Sequence, residues 1–119
     1  MNERTTISLP FPPSVNAMYR NVPGRGRVKD DPYKRWIENA GWELLSQRPR
    51  KFKQRVSVRI SMNPPRRSCG DVDNRIKAVL DLLTRHGVIA DDKRECVASV
   101  AAQWVDEGPI CQVIVEVVT

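Results

Sequence analysis

Cysteine and histidine are scarce in this 119-residue chain, with three of the first and one of the second. Cys69, Cys96 and Cys111 are odd in number and form no Cys-x-x-Cys pair. Together with His86 they match no zinc-ligand spacing, so structural zinc is set aside and free, reduced thiols are expected. Long apolar runs are also missing: nothing approaches the roughly 20 residues that a membrane span needs. The opening stretch "MNERTTISLPFPP" lacks the basic start and apolar h-region of a secretory signal, and the expectation is a chain that stays in the cytosol. There is no internal repeat, low-complexity tract or linker, so residues 1–119 are read as a single small domain.

Negative charge is in short supply as well. Fourteen Asp and Glu face 20 Lys and Arg, a net charge of +6. Such an excess favours a nucleic acid or an anionic membrane as partner. No basic amphipathic helix with a Trp- or Phe-rich face is present, which turns the balance towards nucleic acid.

Against that background the acids in "CGDVDNRIKAVLDLLTRHGVIADD" stand out. Asp71 and Asp73 precede an amphipathic run in which Ile76, Val79, Leu80 and Leu83 recur at helical spacing; Gly87 is placed to end it, and Asp91 and Asp92 follow. Upstream, Asp30 or Asp31 with Pro32 marks a second helix start, running to about Gln47 with Tyr33, Trp36, Ile37, Ala40, Leu44 and Leu45 on one face. Thr5 to Leu9, Arg55 to Met62, Cys96 to Val105 and Gln112 to Val118 read as strands. "PFPPSVN" reads as an extended surface segment, and "YRNVPGRGRVKDD" as a flexible basic arm carrying Arg20, Arg25 and Arg27. The order β-α-β-α-β-β predicts an α+β domain with two helices packed on one mixed or antiparallel sheet.

Two explanations of the acids compete. An acid at an N-cap satisfies free N–H groups for about 1 kcal/mol. An Asp73–Lys77 pair at i,i+4 adds about 0.2–0.5 kcal/mol, and Asp91 and Asp92 suit a turn. Alternatively, the helix from Asp73 to Arg85 is about 20 Å long, and "GVIADD" is of a length, at about 3.3 Å per extended residue, to run back along it. The second acid pair could then return to the first, where a divalent cation would relieve the repulsion. Oxygen ligands alone point to magnesium or manganese.

The chain resembles the RusA family of Holliday-junction resolvases, found mostly in phages and prophages. The resemblance lies in "LPFPPSVNAMYR", in "DVDNRIKAVLDLLT" with its lysine four residues after the second aspartate, and in "GVIADD". It implies a RusA-like fold and metal-binding catalytic acids at Asp71, Asp73 and Asp92, with Asp91 as an additional candidate. It also implies a catalytic lysine at Lys77, magnesium (or manganese) as cofactor, and a homodimer acting on four-way or branched DNA in a bacterial cytoplasm. Arg66 and Arg67 join Arg20, Arg25 and Arg27 as candidate DNA contacts, although here Ser68, Cys69 and Gly70 separate them from the first aspartate, and Ala90 stands where the family often has a larger residue. The activity so implied is paired, symmetric nicking of Holliday junctions in DNA recombination and repair. The alternative is a module that binds branched DNA without cutting it.

Overall fold

Alternation is strict from Val56 to Met62: Val56, Val58, Ile60 and Met62 are buried while Arg59 between them is exposed. A strand with one apolar face needs neighbours with the same face, and the chain supplies three. A computed structural model describes residues 3–65 and 70–118. In it, β1 (Arg4–Leu9), β4 (Val56–Met62), β5 (Val97–Trp104) and β6 (Cys111–Val117) form one sheet in the order β1-β6-β4-β5. The β1–β6 and β6–β4 pairs are antiparallel and β4–β5 is parallel, so the sheet is mixed. One face carries Ile7, Leu9, Val58, Ile60, Val113 and Val115 into the core.

Two helices cover that face. Helix α1 (Asp31–Ser46) begins where expected, with the Asp30 carboxylate accepting from the Asp31 N–H at 3.1 Å and Pro32 in the first turn. It buries Tyr33, Trp36, Ala40 and Leu44, and its C-cap residue Gln47 secures it to the sheet. The Gln47 amide accepts from the Ser8 N–H and donates to the Ser8 carbonyl, each at 2.7 Å, so it occupies the outer polar edge of β1 where another strand could otherwise pair.

Helix α2 (Ile76–Arg85) buries Ala78, Val79, Leu82 and Leu83. Gly87 closes it with a φ of 74°, in a Schellman arrangement. The Gly87 N–H donates to the Thr84 carbonyl (3.1 Å) and the Val88 N–H to the Leu83 carbonyl (2.9 Å). Val88 and Ile89 then drop into the core, and the Phe52 N–H donates to the Val88 carbonyl at 3.0 Å.

Three features differ from the expectation. Residues 19–29 are not a loose arm but an antiparallel hairpin of β2 (Tyr19–Val22) and β3 (Gly26–Lys29), turned by Gly24 and Gly26 at φ values of 77° and 75°. The proline segment is not a surface strip. The Trp36 indole N–H donates to the Pro10 carbonyl (3.1 Å), the Arg75 guanidinium donates to the Pro12 carbonyl (2.9 Å), and Pro12 is buried. Finally, a 3-10 turn, Val72–Arg75, precedes α2, so the helix begins later than the periodicity suggested. Cys96 and Cys111 are free thiols, as expected, while Cys69 lies outside the described residues. Burial pushes the Cys111 thiol up to about 12, which keeps it protonated and inert. No described helix is long and apolar enough to cross a membrane.

The adjacent leucines of α1 test the packing directly. Leu44 is 1% exposed and Leu45 is 48% exposed, although the helical pattern put both on the apolar face. Leu44→Ala should cost about 2–5 kcal/mol and Leu45→Ala less than about 0.5 kcal/mol. Urea denaturation of the two variants measures the contrast, and equal losses would contradict this orientation of α1.

Candidate active site

Asp71 and Asp73 lie in the turn that leads into α2, after Gly70 at φ 76°. Asp71 has N-cap geometry, φ −84° and ψ 143°, and its carbonyl accepts from the Asn74 N–H at 3.2 Å. Its carboxylate makes no capping hydrogen bond. Asp73 does not pair with Lys77; the Lys77 ammonium turns one step onward to Asp81, at 3.6 Å. Among the described residues, capping and i,i+4 pairing therefore engage neither carboxylate, and both residues are exposed.

The turn itself is held firmly. Arg75 donates to the Pro12 carbonyl and places its guanidinium 4.8 Å from the centre of the Phe11 ring. Phe11 in turn stacks on Trp104 at the end of β5, with ring centroids 6.2 Å apart. The two acids thus stand on a turn anchored to the proline segment and to the sheet, a suitable base for a site that must hold its geometry.

The second acid pair is placed differently from the expectation. Because Val88 and Ile89 are drawn into the core, Asp91 and Asp92 do not run back to the start of α2. They face its second half, in a cleft of about 320 Å³ lined also by Asp81, Tyr19, Lys29 and Tyr33. The Asp91 carboxylate accepts from the Asp92 N–H at 2.7 Å, a local turn bond. Among the described residues, no three carboxylates, imidazoles or thiols stand close enough together to hold a metal ion. The donor chemistry of Asp71, Asp73 and Asp92 suits a hard divalent cation, but one chain does not assemble the three.

The basic residues divide in the same way. Arg20, Arg25 and Arg27 all lie on the hairpin and are exposed. Arg20 has a 3.5 Å contact with Asp30, and the Arg27 guanidinium sits 4.5 Å from the centre of the Tyr19 ring. Tyr19 packs edge-on against Tyr33 at 5.8 Å, so the hairpin is joined to the wall of the acidic cleft. Arg66 and Arg67 lie outside the described residues. Sequence reasoning missed the contribution of Tyr19, Lys29 and Tyr33 to the cleft. The available signal was the run of acids and bases around "VKDDPY", where a hairpin and a helix start meet.

Comparison with known proteins gives a consistent picture. The family model described as endodeoxyribonuclease RusA matches residues 10–117. The chain is 37% identical over 93 residues to the crossover junction endodeoxyribonuclease RusA of Escherichia coli strain K12, covering 73% of this chain and 72% of that protein. It is 36% identical over 94 residues to the corresponding protein of Escherichia coli O139:H28, covering 74% and 73%. To that of Enterobacteria phage 82 it is 35% identical over 92 residues, covering 72% of each.

The cleft makes one stability test available. Burial, then the Asp81 carboxylate and Tyr19, push the Tyr33 hydroxyl from 10.0 up to about 12, against a lowering by Arg85. The fold therefore favours the neutral phenol. That contribution is complete below the unfolded value near 10 and is lost as pH rises towards 12. Denaturation midpoints followed from pH 8 upward should fall less steeply above pH 10 for Tyr33→Phe than for wild type. Parallel alkaline losses would show that Tyr33 ionises as freely in the fold as outside it.

Proposed function

Since the chain belongs to the RusA family of endodeoxyribonucleases, we propose that it resolves four-way DNA junctions by divalent-cation-dependent hydrolysis of phosphodiesters. The observation that carries this reading is the pair Asp71 and Asp73: exposed carboxylates on an anchored turn, engaged among the described residues in neither capping nor pairing, in a chain of net charge +6. Acids left unsatisfied in a basic surface are a poor design for stability and a good one for ligating a cation beside a polyanion.

Asp71, Asp73 and Asp92 would hold magnesium, or manganese, through carboxylate oxygens. Bound there, the ion supplies Lewis acidity to a phosphate oxygen and makes water a better nucleophile at neutral pH. Lys77, on the helix face one turn after Asp73, offers its ammonium to the negative charge that grows on the phosphate in the transition state. Asp81, 3.6 Å from that ammonium, orients it. Arg20, Arg25 and Arg27 grip backbone phosphates, which positions the DNA without reading its sequence.

The gap between the two acid pairs favours a second copy. A four-way junction presents two strands for symmetric nicking, which a two-fold dimer with two sites matches. In such a dimer Asp92 of one copy completes the set begun by Asp71 and Asp73 of the other. The same gap also fits a second reading, a module that binds branched DNA and never cuts it. The two readings part in a cleavage assay on a synthetic junction with and without magnesium.

Asp71→Asn, Asp73→Asn and Asp92→Asn should each abolish cutting while leaving junction binding largely intact, because asparagine keeps the shape and capping capacity of aspartate. Lys77→Ala should slow single-turnover cutting about a hundredfold or more, at a stability cost of a few tenths of a kcal/mol. Mixed Asp73→Asn and Asp92→Asn chains should regain nicking if the acids meet across a dimer. Magnesium-dependent binding without nicks by wild type would establish the non-cutting module.

The hairpin gives a separate test. Neutralising Arg20, Arg25 and Arg27 together should flatten the slope of log K against log salt by up to about 2.7 for duplex-like contacts. Junction binding titrated with salt, with calcium in place of magnesium to suppress cutting, reads this out. Parallel slopes for wild type and the triple variant would remove the hairpin from the DNA interface.

A further inference from the structure

Opposite the sheet-facing side of α1 the helix carries a large, unsheltered aromatic. Trp42 is 68% exposed and Leu45, one turn on, is 48% exposed. An exposed Trp is costly to hydrate, and among the described residues no hydrogen bond or ring contact uses this one: the indole of Trp36 is buried and Trp104 is stacked on Phe11. Trp42 lies over a groove of about 550 Å³ between α1 and the end of α2. That size is within the range of about 300–1,000 Å³ typical of ligand sites.

The groove has a definite charge. Lys29, Lys34 and Arg85 line it against the single acid Glu38. Lys34 makes only a long, exposed contact with Asp31, at 4.0 Å, and Lys29 and Arg85 make no ion pair among the described residues. The floor is His86 laid against Gly41: a Cβ at position 41 would come within 3.0 Å of the imidazole Nε2, so the absence of a side chain there is what lets the ring seat. Burial, then the nearby Arg85 and Lys51, hold the imidazole below its ordinary value, in keeping with a positive environment.

The groove also adjoins the cleft of the second acid pair. Lys29, Ile37 and Arg85 line both it and the cleft that holds Asp81, Asp91 and Asp92. A ligand with an aromatic plane flanked by anions, extending from the acidic cleft onto the basic groove, is a nucleotide in a strand. Base–aromatic stacking with cations along the backbone is the general chemistry of single-stranded recognition. Intact duplex hides the faces of its bases, whereas a branch point can expose them. A second copy of a chain with net charge +6 would meet like charge in this groove, which disfavours it as occupant.

We propose that the Trp42 groove is a base-stacking subsite: an unstacked base near the branch point lies on the Trp42 ring, with its neighbouring phosphates on Lys29, Lys34 and Arg85. This rests on the reading that the protein binds branched DNA, and it names a part of the substrate to which the acids and the hairpin do not speak. The subsite would favour branched over linear DNA through the exposed base, independently of the cutting chemistry.

The test compares wild type, Trp42→Phe and Trp42→Ala on a synthetic four-way junction carrying 2-aminopurine beside the crossover, in calcium. Trp42→Ala should weaken junction binding about tenfold, within the range for loss of one stacked base. Binding of linear duplex should change less than twofold, and the 2-aminopurine quenching seen with wild type should be lost. Trp42→Phe should retain most of both. Unchanged junction affinity and quenching in Trp42→Ala would overturn the subsite, as would equal weakening on junction and duplex, or conversion of the variant to a smaller oligomer in sedimentation. A wild-type protein that neither binds nor cuts junctions would instead defeat the proposed function, so the two failures are distinguishable. Because Trp42 is exposed, a melting temperature near wild type verifies that the variant is folded.

Discussion

Parallel pairing of β4 with β5 is the constraint from which the candidate site follows. Parallel neighbours cannot be joined by a tight turn; the chain must leave the end of β4, cross the sheet and return to the start of β5. Here the crossing is α2, and Val79, Leu82 and Leu83 press it onto the sheet, with each fully buried side chain contributing about 1.5–3 kcal/mol. The turn that enters the crossing carries Asp71 and Asp73, and the segment that leaves it carries Asp91 and Asp92. The acids are therefore placed by the sheet's topology and not by any attraction among themselves, which at short range would be repulsion. What secures the entry turn is Arg75, whose guanidinium joins it to Pro12 and Phe11 and, through Phe11, to the last residue of β5.

Much of this frame was legible in the sequence. The period-two run from Val56 to Met62 and the apolar stripe of α2 survive any reasonable packing, because each has one face that must find cover. Gly87 was readable as a helix end because a left-handed position there favours glycine. The hairpin of β2 and β3 was not readable. Its strands are four residues each, with little apolar alternation, and their order comes from contact with Tyr33 and from the Met18 carbonyl, which accepts from the Asp30 N–H. The proline segment has no local signal of packing either; Pro12 is buried and its neighbours half-buried where Trp36 and Arg75, distant in sequence, donate to the carbonyls of Pro10 and Pro12.

The candidate acids were legible as residues and not as an arrangement. Counting extended residues let "GVIADD" reach back along the helix, but the count treated Val88 and Ile89 as free to follow it. The Schellman turn commits both to the core within four residues of the helix end, and the remaining length reaches only the level of Asp81. Local periodicity likewise assigned Leu45 to the apolar face of α1, since 100° from Leu44 is the margin of the stripe, and only the groove beside it decides that this margin is open.

Charge explains why the acids stay available despite so many cations. Of the bases near the helix entry, Lys77 is taken by Asp81 and Arg75 is turned inward on Phe11 and Pro12. Arg20 and Arg27 are engaged on the hairpin, with Asp30 and the Tyr19 ring. Among the described residues the nearby cations thus have other partners, and neither Asp71 nor Asp73 has a close counter-charge. Exposed ion pairs are worth at most about 1 kcal/mol, so forgoing two of them costs the fold little. A divalent cation between carboxylates gains far more from the same geometry than a surface lysine would, and a phosphate approaching it is drawn in by the surrounding positive charge. Unpaired acids inside a basic surface are in that sense a low-cost arrangement for the metal-ligating role proposed for Asp71 and Asp73.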